Sequence, residues 1–172
     1  ESHVLSMDWK SSSFASLRES YFIFTQRREG AKMGRVKSAA EEIREMTENE
    51  IARLVVDASY NVHVALGPGI MESVYETVLC HELKKRGLKA ERQVPVPVVY
   101  DGLHFDEGFR ADVVVESKVV LELKSIERVL PVHHKQTLTY IRLMDKRLGL
   151  LINFGEALIK NGITRIVNGL EE

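Results

Sequence analysis

Cysteine is nearly absent: Cys80 is the only one among 172 residues. A single cysteine forms neither an intrachain disulfide nor a cysteine-only zinc site. It suits a reducing compartment. An excess of one charge is also missing. Lys and Arg number 24 against 25 Asp and Glu, a formal net charge of −1. No global basic field is available to attract a polyanion, so any phosphate binding has to come from local patches. No apolar run approaches the roughly 18 residues of a membrane span, and the first residues hold no signal-peptide core. The expected compartment is therefore cytoplasmic, and a membrane is not an expected partner. Internal repeats and low-complexity segments are absent too. What remains is 44% hydrophobic and 28% charged, an ordinary globular composition long enough for one domain and some extra chain.

The extra chain is expected at the N-terminus. Residues 1–32 open on Glu1 and carry little apolar periodicity beyond Tyr21-Phe22-Ile23-Phe24. They read as a weakly ordered extension, or as sequence upstream of a start at Met33 or Met46. Their removal should leave the melting temperature nearly unchanged. The competing expectation is an accessory helix packed on the domain. Residues 1–46 are thus set apart from a domain over 47–172.

That domain opens on Thr47-Glu48-Asn49-Glu50, the spacing of a capping box. Ile51, Leu54, Val55, Ala58 and Val62 follow at helical spacing, and Gly67-Pro68-Gly69 ends the helix near Leu66. A second helix is expected over about 70–86, with Met71, Val74, Tyr75, Val78, Leu79 and Leu83 as its apolar stripe. Glu72 lies at the edge of that stripe, where an acid needs a partner or a cation. From Lys89 the pattern turns to β. Pro95 and Pro97 suit an edge strand. Two runs follow, Phe109–Val115 and Val119–Ser125, joined by the short turn Glu116-Ser117-Lys118, and they predict a hairpin. A helix over about 132–146, a buried strand over 148–154 and a short strand over 163–167 complete a layered α/β domain with a mixed sheet.

The chemistry concentrates on the hairpin. Alternation along a strand puts Glu122 and Lys124 on one face and Val119, Leu121 and Leu123 on the other. The hairpin brings Asp112 near them. Two carboxylates and a lysine on adjacent strands are what a Mg²⁺-dependent phosphodiester hydrolase needs: acids to hold a hard cation, and a lysine to steady charge on water or phosphate. Three solvent-facing residues on an amphipathic hairpin is the competing reading. Gln136 and Tyr140 are four apart, hence on one helical face. Val132 and Leu143 flank that face and turn it towards the sheet. Gln136 would orient a phosphate or metal-bound water and Tyr140 would contact a nucleic-acid backbone; alternatively, the two simply satisfy each other. Gly69-x-x-Glu72-x-x-Tyr75 places an acid at a helix N-terminus. Adjacent His133 and His134 point about 100° apart, one to the site and one to solvent, whereas His63 and His81 read as ordinary helix residues. Basic clusters at 84–92 and 128–147 could track a phosphate backbone or simply be solvated.

Gly69-Ile70-Met71-Glu72-Ser73-Val74-Tyr75 matches the signature of the GxxExxY protein family, and the chain from about Thr47 to Leu170 resembles that family. Glu91-Arg92-Gln93-Val94-Pro95, Tyr140-Ile141-Arg142-Leu143 and Gly149–Phe154 are similar to its other blocks. The family belongs to the PD-(D/E)XK nuclease superfamily. The resemblance implies a restriction-endonuclease-like αβββαβ core, and a Mg²⁺ or Mn²⁺ site drawn from Glu72, Asp112 and Glu122, with Lys124 as the catalytic cation. Gln136-x-x-x-Tyr140 is similar to the QxxxY element of RecB-like and Cas4-like nucleases. Asp112 follows Ala111, where the pattern name has proline. The implied substrate is nucleic acid, DNA ahead of RNA. A protein partner or a second copy of the chain stays open. So does an inactive binding module on the same fold.

Overall fold

The computed structural model describes residues 46–170, without the side chains of 106–108. The N-terminal extension expected over 1–46 lies, apart from Met46, outside the described residues. Element order is α1 (Glu48–Leu66), α2 (Glu72–Lys85), β1 (Ala90–Tyr100), β2 (Leu103–Val115), β3 (Val119–Lys124), α3 (Pro131–Leu143), β4 (Leu148–Asn153), α4 (Ile159–Gly162) and β5 (Ile163–Val167).

The capping box at the start of α1 forms as its spacing requires. Thr47 Oγ1 accepts from Glu50 N, and Glu50 Oε2 accepts from Thr47 N at 2.7 Å. Ile51, Val55, Ala58 and Val62 are buried along one side. Gly67 and Gly69 then take φ values of +67° and +96°, which a residue without Cβ adopts readily, and the chain reverses into α2.

The sheet has the order β1-β2-β3-β4-β5. All neighbours are antiparallel except β3 and β4, which are parallel and register Glu122 with Leu151 and Lys124 with Asn153. A parallel pair needs a crossover, and α3 supplies it. Glu116 and Ser117 sit at φ +50° and +54°, and Lys118 N donates to Val115 O at 3.0 Å. This is a tight turn whose twist matches its flanking strands. Pro95 and Pro97 lie on β1, an edge of the sheet.

The sheet packs a core on each face, and β2 changes face between Ala111 and Val113, next to Asp112. Val113, Val115, Val119, Leu121, Leu123 and Leu150 pack against α1 and α2. Ala111, Val114 and Val120 join Tyr140 and Ile141 of α3 on the opposite side. Gly149 lets β4 and α3 approach closely. A Cβ there would stand 2.9 Å from Ile141 Cγ2 and 3.0 Å from Thr137 Cγ2.

Some boundaries differ from expectation. Helix α2 begins at Glu72, because Met71 is its N-cap with extended backbone. Met71 is thus 71% exposed, outside the stripe. Strand β2 starts at Leu103, six residues earlier than the sequence pattern shows, since pairing with β1 carries it to the Asp101-Gly102 turn. Helix α3 spans Pro131–Leu143. Its second residue, Val132, is exposed rather than facing the sheet. The four-residue α4 is too short to leave a periodic signal.

Candidate active site

The site forms where β2 and β3 part. Their ladder ends at Val113 opposite Leu121. Beyond it, the N–H of Leu123 donates to the Asp112 carboxylate, Oδ2 at 2.7 Å. The side chain occupies the place of a backbone acceptor, which pins Asp112 to β3. Glu122 and Lys124 alternate with the residues that pack on α1 and α2, so they face α3.

Glu122 is only 2% exposed. Its Oε1 accepts from Lys124 Nζ at 2.7 Å and from Gln136 Nε2 at 3.0 Å. Its Oε2 is buried without a hydrogen-bond partner. Lys124 Nζ also donates to Leu123 O. Gln136 Nε2 reaches Tyr140 Oη at 2.8 Å, so the glutamine joins strand β3 to the tyrosine. Of the two alternatives for this pair, the hydrogen bond between Gln136 and Tyr140 is present, and Gln136 bonds Glu122 as well.

Glu72 is exposed at the first turn of α2. Its Oε1 accepts from Ser125 N at 3.1 Å, while Ser125 Oγ donates to Ile70 O at 2.5 Å. These two bonds tie the end of β3 to the start of α2, and a shallow pocket of about 500 Å³ opens there between Gly69–Ser73 and Ser125. The buried acid of α2 is instead Glu76, one turn on. Arg92 Nε donates to its Oε1 at 2.7 Å and Gln93 Nε2 to its Oε2 at 3.0 Å. Glu76 escaped sequence reasoning, although its neighbours Tyr75 and Leu79 in the apolar stripe could have flagged it.

Crowded, dehydrated carboxylates favour protonation. Burial first, then the charge of Asp112, pushes the Glu122 carboxyl up to about 7. Burial raises Asp112 as well, with Glu76 and Glu72 adding to the effect and the Leu123 N–H and Lys124 opposing it. At Lys124 burial works downward, but the Glu122 hydrogen bond and the surrounding acids outweigh it, so the ammonium is held more firmly. Tyr140 is raised by burial.

Among the described residues no three His, Cys, Asp or Glu side chains are grouped as an ion site in the present arrangement. The acids are engaged elsewhere: Asp112 by Leu123 N–H, Glu72 by Ser125 N–H, and one oxygen of Glu122 by Lys124 and Gln136. The donor chemistry nonetheless fits a hard divalent cation. Carboxylates from two strands lie near enough for Asp112 to raise the pKa of Glu122, and one oxygen of Glu122 is buried with a lone pair unmet, a costly condition that a cation would relieve.

His133 Nδ1 accepts from Leu130 N, a capping duty at the start of α3. His63 bonds Glu156 O and stacks near Phe154. The 84–92 basic cluster is largely committed: Arg86 to Glu82 and Asp57, Lys89 to Glu91, Arg92 to Glu76. In the 128–147 cluster Arg147 bonds Glu48.

A family model described as the PD-(D/E)XK nuclease superfamily matches residues 49–166. The match covers well over half of the chain, from the first turn of α1 into β5, and the chain belongs to that superfamily. Its mixed α/β architecture agrees with a restriction-endonuclease-like fold. No curated protein and no solved structure matches the chain.

Proposed function

From membership of that superfamily, we propose that the chain hydrolyses phosphodiester bonds in nucleic acid, DNA ahead of RNA, through a RecB- and Cas4-like site. Membership of the GxxExxY group is part of the same reading. The observation that carries it is Glu122: a nearly fully buried carboxylate beside Asp112 and Lys124, with one oxygen left without a partner. A fold keeps such a group at a cost of roughly 1–3 kcal/mol, which is reasonable if a bound cation completes it.

Asp112 and Glu122 would hold Mg²⁺ or Mn²⁺, with Glu72 directly or through water. The ion supplies Lewis acidity at the phosphate and lowers the pKa of a bound water. Lys124, kept protonated by its acidic surroundings, orients the attacking water and stabilises charge on the phosphate. Gln136 fixes the Glu122 carboxylate in orientation and aligns Tyr140 Oη towards the backbone of the substrate. The wall formed by α3 keeps these groups dry, which strengthens every charge interaction among them.

The deciding experiment incubates the purified chain with single- and double-stranded DNA and RNA in Mg²⁺, Mn²⁺ or EDTA. Metal-dependent cleavage that vanishes in Asp112→Asn and Glu122→Gln is expected. Binding without cleavage under every metal condition would replace this reading with an inactive nucleic-acid-binding module, and protein association alone would replace it with a protein-binding one.

A further inference from the structure

The β1–β2 hairpin runs past the helices that cover the rest of the sheet, and its register sorts its side chains. Val96 faces Phe109, Val98 faces Phe105 and Tyr100 faces Leu103. Directly opposed residues in an antiparallel pair share a face, as do alternate residues along β1. Val96 is buried in the core beneath α3. Phe109, opposite Val96 and against Tyr140, therefore lies on the α3 face with Glu122 and Lys124; the register then shifts between Val96 and Val98, before Phe105 and Tyr100. Towards its tip the hairpin loses its cover: Phe109 is 48% exposed, Phe105 47% and Tyr100 73%. Phe109 also stands against the site itself. Its ring centroid is 5.7 Å from that of Tyr140, with the planes tilted by 51°. Tyr140 is in turn linked through Gln136 to Glu122. A buried aromatic thus props up a half-exposed one at the edge of the catalytic acids.

We propose that Phe109, at the exposed edge of this face, is a stacking platform for a base of a single-stranded nucleic acid whose backbone lies on the Glu122–Lys124 site. The inference rests on the nuclease reading and adds to it a strand preference and the residue that sets it. Three observations favour this occupant. The exposed Phe109 ring adjoins Tyr140 and through it the Glu122 site, so a strand crossing the acids reaches it next. An exposed aromatic face stacks with any base, independent of sequence. The paired bases of a duplex already stack on one another and present only their edges, leaving nothing for Phe109 to cover. The 5.7 Å contact with Tyr140 holds the Phe109 ring in place before substrate arrives, which lowers the ordering cost of stacking.

The test measures binding by fluorescence anisotropy, in Ca²⁺ at fixed salt, with a labelled oligothymidylate, an abasic strand of equal length, and a duplex. Phe109→Ala should weaken oligothymidylate binding about tenfold or more, in line with a base–aromatic stack. It should leave the abasic strand and the duplex unchanged. Phe109→Trp should restore affinity, and its added indole emission should be quenched by oligothymidylate but not by the abasic strand. That gain separates lost stacking from a misfolded hairpin. Equal oligothymidylate affinity in wild type and Phe109→Ala, or parallel loss on all three probes with no rescue by Phe109→Trp, overturns the platform. A wild-type chain that self-associates through Phe109, read by sedimentation, overturns it in favour of a contact between copies. The platform and the nuclease reading fail separately. Base-dependent binding without metal-dependent cleavage removes only the nuclease, and cleavage with a neutral Phe109→Ala removes only the platform.

Discussion

Glu122 combines burial, a lysine partner and an unmet oxygen in one side chain, and this combination makes its titration measurable. Its carboxyl is raised from the ordinary 4.5 to about 7 by burial and by Asp112. The folded chain therefore binds a proton that the unfolded chain has released between those values. Stability is fully present below about 4.5 and is lost as pH rises through about 7. The expected loss is on the order of 3 kcal/mol. Urea denaturation in EDTA at a series of pH values should show this fall, and Glu122→Gln should flatten it whatever its absolute stability. A wild-type slope unchanged in Glu122→Gln would assign the titration to another group. Lys124 separates differently. A protonated lysine offers no lone pair to a metal, so Lys124→Ala should keep or tighten Mn²⁺ binding by calorimetry while losing at least a hundredfold in cleavage. The acid variants should lose both. If Lys124→Ala cleaves like wild type, the lysine does not place the water. Spacing alone made Glu122 and Lys124 legible, because an acid and a base inside an apolar run with period two have to share a face. The Asp112 bond to Leu123 N–H was not legible, since it depends on where two strands diverge.

Among the elements, the joint between α2 and the strands carries the Gly69-x-x-Glu72-x-x-Tyr75 segment, and each residue acts separately there. Tyr75 is fully buried and stacks on Phe154 at 4.3 Å with planes 8° apart. Its hydroxyl donates to Gly67 O at 2.5 Å and accepts from Ile70 N at 3.3 Å, spanning the turn that positions Glu72. On the far side Asn153 bonds Ile126 through both its amide oxygen and nitrogen, and Gly155 N through its oxygen. This fixes the chain just after Lys124. Tyr75→Phe keeps the stack but strands the Gly67 carbonyl and should cost about 1–3 kcal/mol, read as a fall in the denaturation midpoint at constant slope. Cleavage should fall further than stability explains, because the freed turn no longer holds Glu72 against Ser125. An unchanged midpoint would show that water replaces the hydroxyl at no cost. Periodicity and capping made these elements readable from sequence, as Thr47-Glu50 and the Gly67–Gly69 turn show. It placed Glu72 rather than Glu76 as the acid that needs a partner, because helical spacing does not reveal that Arg92 and Gln93 arrive from β1.

Across the whole domain, one sheet face is spent on α1 and α2, and the other holds α3 with a polar site let into its core. Glu122 belongs to the second face, and the apo fold bears its repulsion from Asp112 with no hydrogen bond at Glu122 Oε2. A cation that binds only the folded site should therefore act on global stability. Its contribution is RT ln(1 + [L]/Kd), about 2.7 kcal/mol at a hundredfold excess over Kd. The raised carboxyl pKa values give the effect a pH signature, because ion and proton compete for the same oxygens. Millimolar Mn²⁺ should raise the melting temperature of the wild type by several degrees at pH 8, by less at pH 6, and hardly at all at pH 5, where Glu122 holds its proton. The apo chain runs the other way, losing stability over the same range, so the two melting curves should diverge as pH rises. Asp112→Asn removes a proposed ligand and one repelling charge together. It should melt no lower than the wild type in EDTA at pH 8 and gain nothing from Mn²⁺. A Mn²⁺ shift that persists in Asp112→Asn and does not vary with pH would place the ion elsewhere on the surface. The nuclease reading would then lose its metal, whatever the fold shares with the superfamily.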